Sequence, residues 1–327
     1  MAPLVSIQGL SVAFNGVAVL RGVDLALSKG EALGLVGESG SGKSVTWLAA
    51  LGLLPRHAKV TGSVRLDGRE LVDAPTSELD RIRGGRIAMI FQDPASALNP
   101  VLTIRKQLCE ALALHRDLSG EAVKAEALRL LNLVGIPDAG RRLSAYPHEF
   151  SGGQVQRIMI AMALAGNPDV LIADEPTTAL DATIQAQILE LLSSIRREMS
   201  MAMVLISHDL GVVAENCDRV AVMYAGRIVE QAPSNQLFAD PVHPYAQGLI
   251  GALPPLDGPR RRLTAIPGTV PDPAHMPDGC AFAPRCTFAA EACGAAAPTL
   301  APIADHRAVA CIRAEASRHA LLGIAAE

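Results

Sequence analysis

One short segment constrains the fold of this chain more than any other: the run Gly37-Glu-Ser-Gly-Ser-Gly-Lys43-Ser44. It fits the pattern G-x-x-x-x-G-K-[ST] of a phosphate-binding loop, and it lies between an apolar run, Ala32–Val36, and a segment with a helical pattern. The glycines let the backbone curl so that successive N–H groups point at phosphate oxygens, and the following helix adds its positive N-terminal end. The sequence therefore predicts a strand–loop–helix unit that binds a nucleotide.

Side chains of this loop and of a second apolar run supply the expected chemistry. Lys43 is expected to neutralise the β- and γ-phosphates, and Ser44 to place its hydroxyl on Mg²⁺. The run Val170-Leu-Ile-Ala-Asp174-Glu175 is an apolar strand that ends in two adjacent carboxylates. Because side chains alternate along a strand, we expect Asp174 at the metal and Glu175 at the water that attacks the γ-phosphate. The loop residues expected to contact the nucleotide are Gly37, Ser39, Gly40, Gly42, Lys43 and Ser44.

Short β-rich apolar runs alternate with longer helical patterns up to about residue 235, which is typical of an α/β domain with a largely parallel sheet. Three of these runs end in polar residues, as at the ligand edge of open α/β sheets, namely Ala32–Val36, Val170–Ala173 and Ala202–Ile206. Helical patterns cover Ile104–Leu114, Glu121–Val134 and Gln154–Ala165. We predict a nucleotide-binding domain over residues 1–235, with a helical subdomain at about 93–168.

Composition and charge exclude several functional classes. The 327 residues include 29 Lys and Arg against 33 Asp and Glu, a formal charge of −4, which argues against a nucleic-acid surface. The start lacks the cationic leader of a signal peptide, and the longest apolar runs fall short of the roughly 20 residues of a membrane span. We therefore expect a membrane connection only through a partner. Six cysteines in such a chain indicate a reducing compartment, with thiols free or bound to metal.

The string Ser151-Gly152-Gly153-Gln154 lies between the loop and the acidic strand, at the start of a helical pattern. Its glycines allow a phosphate to approach exposed N–H groups. Preceded by Phe150, where Leu is commoner, it resembles the signature motif of the ABC ATPase family.

Further motifs of that family follow in the expected order. Gln92 resembles the Q-loop glutamine, which contacts Mg²⁺ and couples to the transport pore, and Ala179-Leu180-Asp181 resembles the D-loop of the dimer interface. His208 resembles the switch histidine that holds the γ-phosphate. Phe14, 23 residues before Gly37, resembles the aromatic platform under adenine, with an ordinary core phenylalanine as the alternative.

This resemblance covers about residues 4–235 and implies an ATPase that works as a pair. In the family, two nucleotide domains pack head to tail, and each ATP lies between the phosphate loop of one and the Ser-Gly-Gly of the other. ATP therefore closes the pair, and hydrolysis removes the γ-phosphate that held it. Because this chain has one phosphate loop, a partner ATPase subunit is implied.

Residues around the motifs resemble a narrower group, the oligopeptide, dipeptide and nickel importers. The resemblance is carried by the segments 91–100 and 179–188 and by the run His243-Pro-Tyr-Ala-Gln-Gly-Leu249, which is also a helix start with Pro at its first position. It implies peptide import at the cytoplasmic face of the inner membrane, with a homologous but distinct second ATPase, two permease subunits and an extracytoplasmic binding protein; a pair of identical ATPase chains stays open. An ATPase for nickel or another solute, and a non-transport ABC protein, are the alternatives.

Beyond Pro241 the composition changes, and we predict a separate loop-rich extension over residues 236–327. Prolines crowd its first part, and four cysteines follow, Cys280, Cys286, Cys293 and Cys311. A Pro-rich stretch with few large apolar residues gains little folding free energy from its own packing. A bound metal would supply the missing stabilisation. The spacing is longer than usual for zinc, whereas thiolate clusters accept varied spacing. The four positions resemble the ligands of an iron–sulfur cluster that some peptide importers of this group carry in their extension. A zinc ion and four unligated thiols are the alternatives.

Cys109 and Cys217 lie in the nucleotide-binding domain and are expected to be buried thiols.

Overall fold

A computed structural model describes residues 2–93, 97–178, 180–253, 265–315 and 317. Its strands are β1 (Val5–Phe14), β2 (Val17–Leu27), β3 (Ala32–Val36), β4 (Ala58–Leu66), β5 (Arg69–Glu70), β6 (Ile87–Ile90), β7 (Val170–Asp174), β8 (Ala202–Ile206), β9 (Arg219–Tyr224), β10 (Arg227–Pro233), β11 (Ala301–Ala304) and β12 (Arg307–Val309). The α/β class predicted from the sequence is confirmed.

The α-helices are α1 (Lys43–Ala50), α2 (Thr76–Ile82), α3 (Ile104–His115), α4 (Glu121–Leu133), α5 (Ala139–Arg142), α6 (Gly152–Leu164), α7 (Ala182–Met199), α8 (Leu210–Asn216), α9 (Ser234–Ala239) and α10 (Pro244–Gly251). Short 3₁₀ turns lie at Pro147–Glu149, Pro273–His275, Ala283–Arg285 and Glu291–Gly294. Among the described residues, no helix is long and apolar enough to span a membrane.

The chain divides into two compact units that are discontinuous in sequence. The first comprises Met1–Leu27, Ala32–Val72 and Ser207–Glu327, and the second comprises Ser28–Glu31 and Asp73–Ile206. The first unit therefore holds residues on both sides of position 235, and the domain boundary placed there stays a prediction.

The first unit contains two groups of paired strands. One is an antiparallel sheet in the order β2-β1-β4-β5. Its β1–β2 hairpin turns at Asn15-Gly16, where both residues have positive φ (49° and 84°), as a two-residue turn that matches strand twist requires. In the other group, β3 pairs in parallel with β9, and β10 and β12 extend it in antiparallel fashion. Residues of β3 are all buried, which fits its continuous apolar run.

The second unit has a parallel core of three strands in the order β8-β7-β6. All residues of β7 and β8 are buried, in agreement with the apolar runs predicted as buried strands. Helices α3 and α4 begin at the predicted residues, Ile104 and Glu121, and end one residue from the predicted positions. The third predicted helix begins at Gly152 rather than Gln154, because Ser151 caps it.

The extension after residue 235 consists of short elements joined by loops, as the sequence predicts. It contributes helix α10, three 3₁₀ turns and the hairpin β11–β12. Strand β12 pairs with β10, with Glu230 opposite Val309. The predicted helix start at His243 is confirmed, because its Nδ1 accepts a hydrogen bond from the Tyr245 N–H at 3.0 Å and Pro244 occupies the first position. Cys217 is buried as predicted, whereas Cys109 is half-buried because it lies on the partly exposed helix α3.

Candidate nucleotide-binding site

The phosphate-binding loop lies in the first unit, between β3 and α1, and its shape depends on glycine. Gly37 has φ 152°, and a Cβ there would lie 2.1 Å from the Met223 carbonyl oxygen. Gly42 has φ 105° and precedes the first residue of α1, where a Cβ would lie 2.5 Å from Leu20 Cδ2. A larger residue at either position would displace the loop from β9 and β2.

Lys43 is the first residue of α1 and is buried against the inside of the loop. Its Nζ donates to the carbonyl oxygens of Gly37 at 2.8 Å and Glu38 at 3.0 Å. The ammonium group therefore lies where the loop closes, at the N-terminal end of the helix. Ser44, in the first turn, is half-buried, and Ser39 and Gly40 are exposed at the outer side of the loop. This arrangement presents backbone N–H groups, a helix N-terminus and one cation to an anion.

Two further predicted residues lie in the same unit. Phe14 ends β1, is half-buried, and makes an edge contact with the His57 ring at 6.0 Å between centroids. A half-buried ring at a strand end is compatible with both predicted roles, adenine platform and core residue. His208 is exposed and precedes Asp209, whose carboxylate caps α8 through the N–H groups of Gly211 and Val212.

In the second unit the acidic pair lies at the carboxyl end of β7. Asp174 is the last residue of the strand and is 6% exposed. Glu175 has φ 48°, a conformation uncommon for a residue with a side chain, and its N–H donates to the Ile206 carbonyl at 2.9 Å. The backbone turn separates the environments of the two carboxylates: the first is buried at the strand end and the second is half-buried beyond it.

The structure brings Gln92 and Glu175 together. The Gln92 Nε2 donates to Glu175 Oε2 at 2.8 Å, and the Thr178 hydroxyl donates to the same oxygen at 3.0 Å. Gln92 and Glu175 belong to separate sequence motifs, whereas no motif in the sequence indicates Thr178. The two donors orient a carboxylate that is expected to act on water.

The signature residues form the capped start of α6. The Ser151 hydroxyl accepts from the Gln154 N–H at 3.4 Å, and the Gln154 side chain accepts from the Ser151 N–H at 3.2 Å. Ser151 and Gly152 are exposed, whereas a Cβ on Gly153 would lie 2.8 Å from Ile184 Cγ2. A small, exposed helix N-terminus of this kind suits an anion brought by another chain.

The aspartate of the predicted D-loop caps a second helix. Asp181 Oδ1 accepts from the Thr183 N–H at 3.1 Å and from the Ile184 N–H at 3.0 Å, so it fixes the start of α7. Ala179 of the same motif lies outside the described residues, as do positions 94–96 of the predicted importer segment.

The four cysteines of the extension line one small cavity, together with Phe282 and Phe288. Burial raises the pKa of Cys280, Cys286 and Cys311; for Cys311, burial together with the other three thiols raises the pKa to about 11. Within the described residues, however, no three His, Cys, Asp or Glu side chains are arranged to hold a single metal ion.

Comparison with known proteins matches both parts of the chain. Residues 20–178 match the family model "ABC transporter", and residues 229–293 match "Oligopeptide/dipeptide transporter, C-terminal region". The oligopeptide transport ATP-binding protein OppD of Haemophilus influenzae is 50% identical over 297 residues, which cover 90% of this chain and 92% of that protein. The dipeptide transport ATP-binding protein DppD of Bacillus subtilis is 49% identical over 329 residues, which cover 98% of both.

Among solved structures, the dimeric ATP-binding cassette MJ0796 bound to ADP and Pi is similar, with a TM-score of 0.63 and 30% identity over 70% of this chain and 98% of that one. Fold and site therefore define an ABC ATPase, an enzyme that hydrolyses ATP. Within that class the chain belongs to the family of oligopeptide and dipeptide transport ATP-binding proteins.

Proposed function

We propose that this protein is the ATP-hydrolysing subunit of a multi-subunit importer of di- or oligopeptides. The observation that carries the proposal is the match of residues 229–293 to the C-terminal region of oligopeptide and dipeptide transporters, joined in one chain to a phosphate-binding loop. An importer of nickel or another solute is the second candidate, and the substrate offered to the assembled transporter distinguishes the two.

In this proposal, residues of the motifs divide the work on ATP and Mg²⁺. The loop N–H groups and Lys43 bind the phosphates, and the Ser44 hydroxyl, Gln92 and Asp174 hold Mg²⁺. Glu175 accepts a proton from the attacking water or orients it, and Gln92 and Thr178 hold its carboxylate in place. His208 contacts the γ-phosphate, and Phe14 contacts adenine.

The proposed partners follow from the signature residues. Ser151, Gly152 and Gly153 serve an ATP held by a second, homologous ATPase subunit, and Asp181 lies at the interface with it. The dimeric state of the similar cassette MJ0796 supports pairing. Two permease subunits would then anchor the pair at the cytoplasmic face of the inner membrane, and an extracytoplasmic binding protein would deliver the peptide.

The test is ATP-dependent peptide uptake by the complex reconstituted with its permease subunits in proteoliposomes. Wild-type complex is expected to take up peptide and to hydrolyse ATP faster when the loaded binding protein is present. Lys43→Ala is expected to abolish both, because it removes the cation at the closed end of the loop. Uptake of nickel but not peptide would move the proposal to the second candidate, and near-normal ATPase activity of the variant would refute the role of Lys43.

For the four-cysteine set we propose an iron–sulfur cluster, held by Cys280, Cys286, Cys293 and Cys311. The support is that all four thiols line one cavity, and that buried, mutually close thiols need positive charge to ionise. Zinc held by the same thiols is the alternative. Such a cluster would cross-link two turns, Ala283–Arg285 and Glu291–Gly294, with the residues that follow β12.

This second proposal is tested by anaerobic purification of the complex, with iron, sulfide and zinc measured per chain and visible absorption recorded. Iron and sulfide are expected in matched amounts, and Cys286→Ser is expected to lower both, whereas Cys109→Ser is the control. Zinc alone, or colourless protein without metal, would refute the cluster.

A further inference from the structure

Glu38, the second residue of the phosphate-binding loop, has every polar group engaged. Its N–H donates to the Tyr245 hydroxyl at 2.8 Å, and its carbonyl oxygen accepts from Lys43 Nζ at 3.0 Å. Its carboxylate accepts from both terminal nitrogens of Arg285, at 2.7 and 3.0 Å. The same carbonyl oxygen also accepts from the Ser41 N–H at 3.2 Å. Two of these four partners, Tyr245 and Arg285, belong to the extension rather than to the loop.

Several contacts in addition to Glu38 fix the position of the Arg285 side chain. Its side chain is 5% exposed, and its Nε donates to the Pro267 carbonyl at 2.8 Å. The guanidinium carbon also lies 5.8 Å from the centre of the Tyr224 ring and 5.9 Å from that of Phe282. A planar, bidentate and packed arginine loses little freedom when it pairs with a carboxylate, so this contact fixes position as well as charge.

Tyr245 is fixed equally firmly. It is fully buried, it lies in the first turn of α10, and the His243 side chain caps that turn. Its ring packs against Tyr224 at 4.6 Å and against Phe282 at 5.4 Å between centroids. The hydroxyl therefore reaches the Glu38 N–H from a rigid aromatic cluster.

Glycine-rich loops lose much conformational entropy when they order around a ligand. A loop that is already ordered binds its ligand with less of this cost. Contacts to Glu38 hold the loop by its backbone N–H, its carbonyl oxygen and its side chain at one residue.

We propose that Arg285 and Tyr245 are positioning residues through which the C-terminal extension holds the phosphate-binding loop in its ATP-binding conformation. The proposal rests on the proposed phosphate-binding role of Lys43 and its loop. It makes the extension a determinant of ATP affinity, in addition to whatever the four cysteines bind. Since Arg285 directly precedes Cys286, the fold of the cysteine segment also sets the position of the guanidinium.

The first test compares Tyr245→Phe with Tyr224→Phe in the assembled transporter. Both changes remove one hydroxyl from the same aromatic cluster and keep the ring, but only Tyr245 contacts the loop backbone. The Tyr224 hydroxyl accepts a longer bond, at 3.4 Å, from Arg285, which keeps both of its shorter bonds to Glu38 when that hydroxyl is removed. Tyr245→Phe is expected to raise the KM for ATP about tenfold, as for one lost hydrogen bond to a buried N–H, with kcat changed less than about twofold. Tyr224→Phe is expected to change KM less than about twofold. Equal KM values for Tyr245→Phe and wild type would overturn the proposal, as would equal increases in both variants.

The second test is a double-mutant cycle on Glu38→Gln and Arg285→Gln, read as the KM for ATP. If the pair positions the loop, each single variant raises KM and the double variant raises it no further than the worse single. Fully additive effects would overturn the role of the pair. Lys43→Ala separates this proposal from the one it rests on: if Lys43→Ala abolishes ATP binding while Tyr245→Phe has no effect, only the positioning role fails. If Lys43→Ala also leaves ATP binding intact, the phosphate-binding role of the loop fails too.

Discussion

Replacement of Arg307 by methionine should destabilise the protein strongly, because it leaves a buried carboxylate without its cation. Glu230 is fully buried on β10, and Arg307 on β12 pairs with it at 3.2 Å. Arg307 also pairs with Asp240 at 3.4 Å. Burial raises the pKa of Glu230, and the N–H groups of Val242 and His243 together with Arg307 oppose that increase.

The expected magnitude follows from what remains after the change. Removing one partner of a buried ion pair typically costs about 3–5 kcal/mol. Two backbone N–H groups, from Val242 and His243, still bind the Glu230 carboxylate at 3.1 and 2.7 Å. These neutral donors keep part of the stabilisation, so we expect a loss near the lower end, about 3 kcal/mol.

The loss should depend on pH. Since the folded-state pKa of Glu230 is raised, its contribution to stability is fully present below the unfolded pKa and is lost as pH rises through the folded pKa. Arg307 lowers this pKa because it stabilises the ionised carboxylate. The destabilisation caused by Arg307→Met should therefore be smaller at low pH, where the carboxyl group is neutral, and largest above neutral pH, where it is ionised.

The assay is urea unfolding of the full chain, followed by circular dichroism at pH 5 and pH 8. Glu230→Gln combined with Arg307→Met should recover part of the loss, because a neutral amide still accepts from the backbone N–H groups. Arg65→Met, which removes an exposed pair with Glu70, is the control and should cost less than about 1 kcal/mol. A loss below about 1 kcal/mol for Arg307→Met, or one that is independent of pH, would refute the reasoning.

Three further predictions use the same structure. Glu175→Gln should leave ATP bound but stall hydrolysis, because the amide keeps the contact with Gln92 and removes the basic carboxylate; turnover near the wild-type rate would place the base elsewhere. The purified chain alone should be a poor ATPase whose activity rises with the partner subunit, and a high, concentration-independent rate would contradict this. Gly166→Ala should destabilise by about 1–3 kcal/mol, since a Cβ would lie 1.9 Å from the Gly84 carbonyl oxygen. Gly140→Ala, in α5 with no described atom within 4 Å of its Cβ, is the matched control in the same unfolding assay.

The bounds of several strands and helices could be predicted from the sequence, because the local hydrophobic pattern determines them. Strands β3 and β8 have the predicted bounds, because a continuous apolar run of five residues between polar ends is typical of a fully buried strand. The predicted start of α6 was two residues late, because glycine is a poor helix former and the pattern alone favours Gln154. The reciprocal hydrogen bonds between Ser151 and Gln154 override that low propensity.

Contacts between distant residues could not be predicted in this way. Glu38 and Arg285 are 247 positions apart, and the arginine lies in a segment without periodicity. The pairing of β12 with β10 was missed for a similar reason, since three residues, Arg307–Val309, carry too little alternation to indicate a strand. Such pairs depend on which elements the fold brings together, and local patterns do not contain that information.

The hydrogen bonds of Glu230 show why the extension is part of the structure that holds the nucleotide loop. Glu230 precedes residue 235, yet its carboxylate accepts hydrogen bonds from groups beyond that position: the N–H groups of Val242 and His243, and the side chain of Arg307. A buried carboxylate without these donors would be costly. Strand β10 can therefore bury Glu230 only when the extension supplies them. The same His243 caps the helix that carries Tyr245 to the loop. One short segment thus satisfies a buried charge on the sheet and also contacts the phosphate-binding loop, which couples the stability of the extension to the geometry of the ATP site.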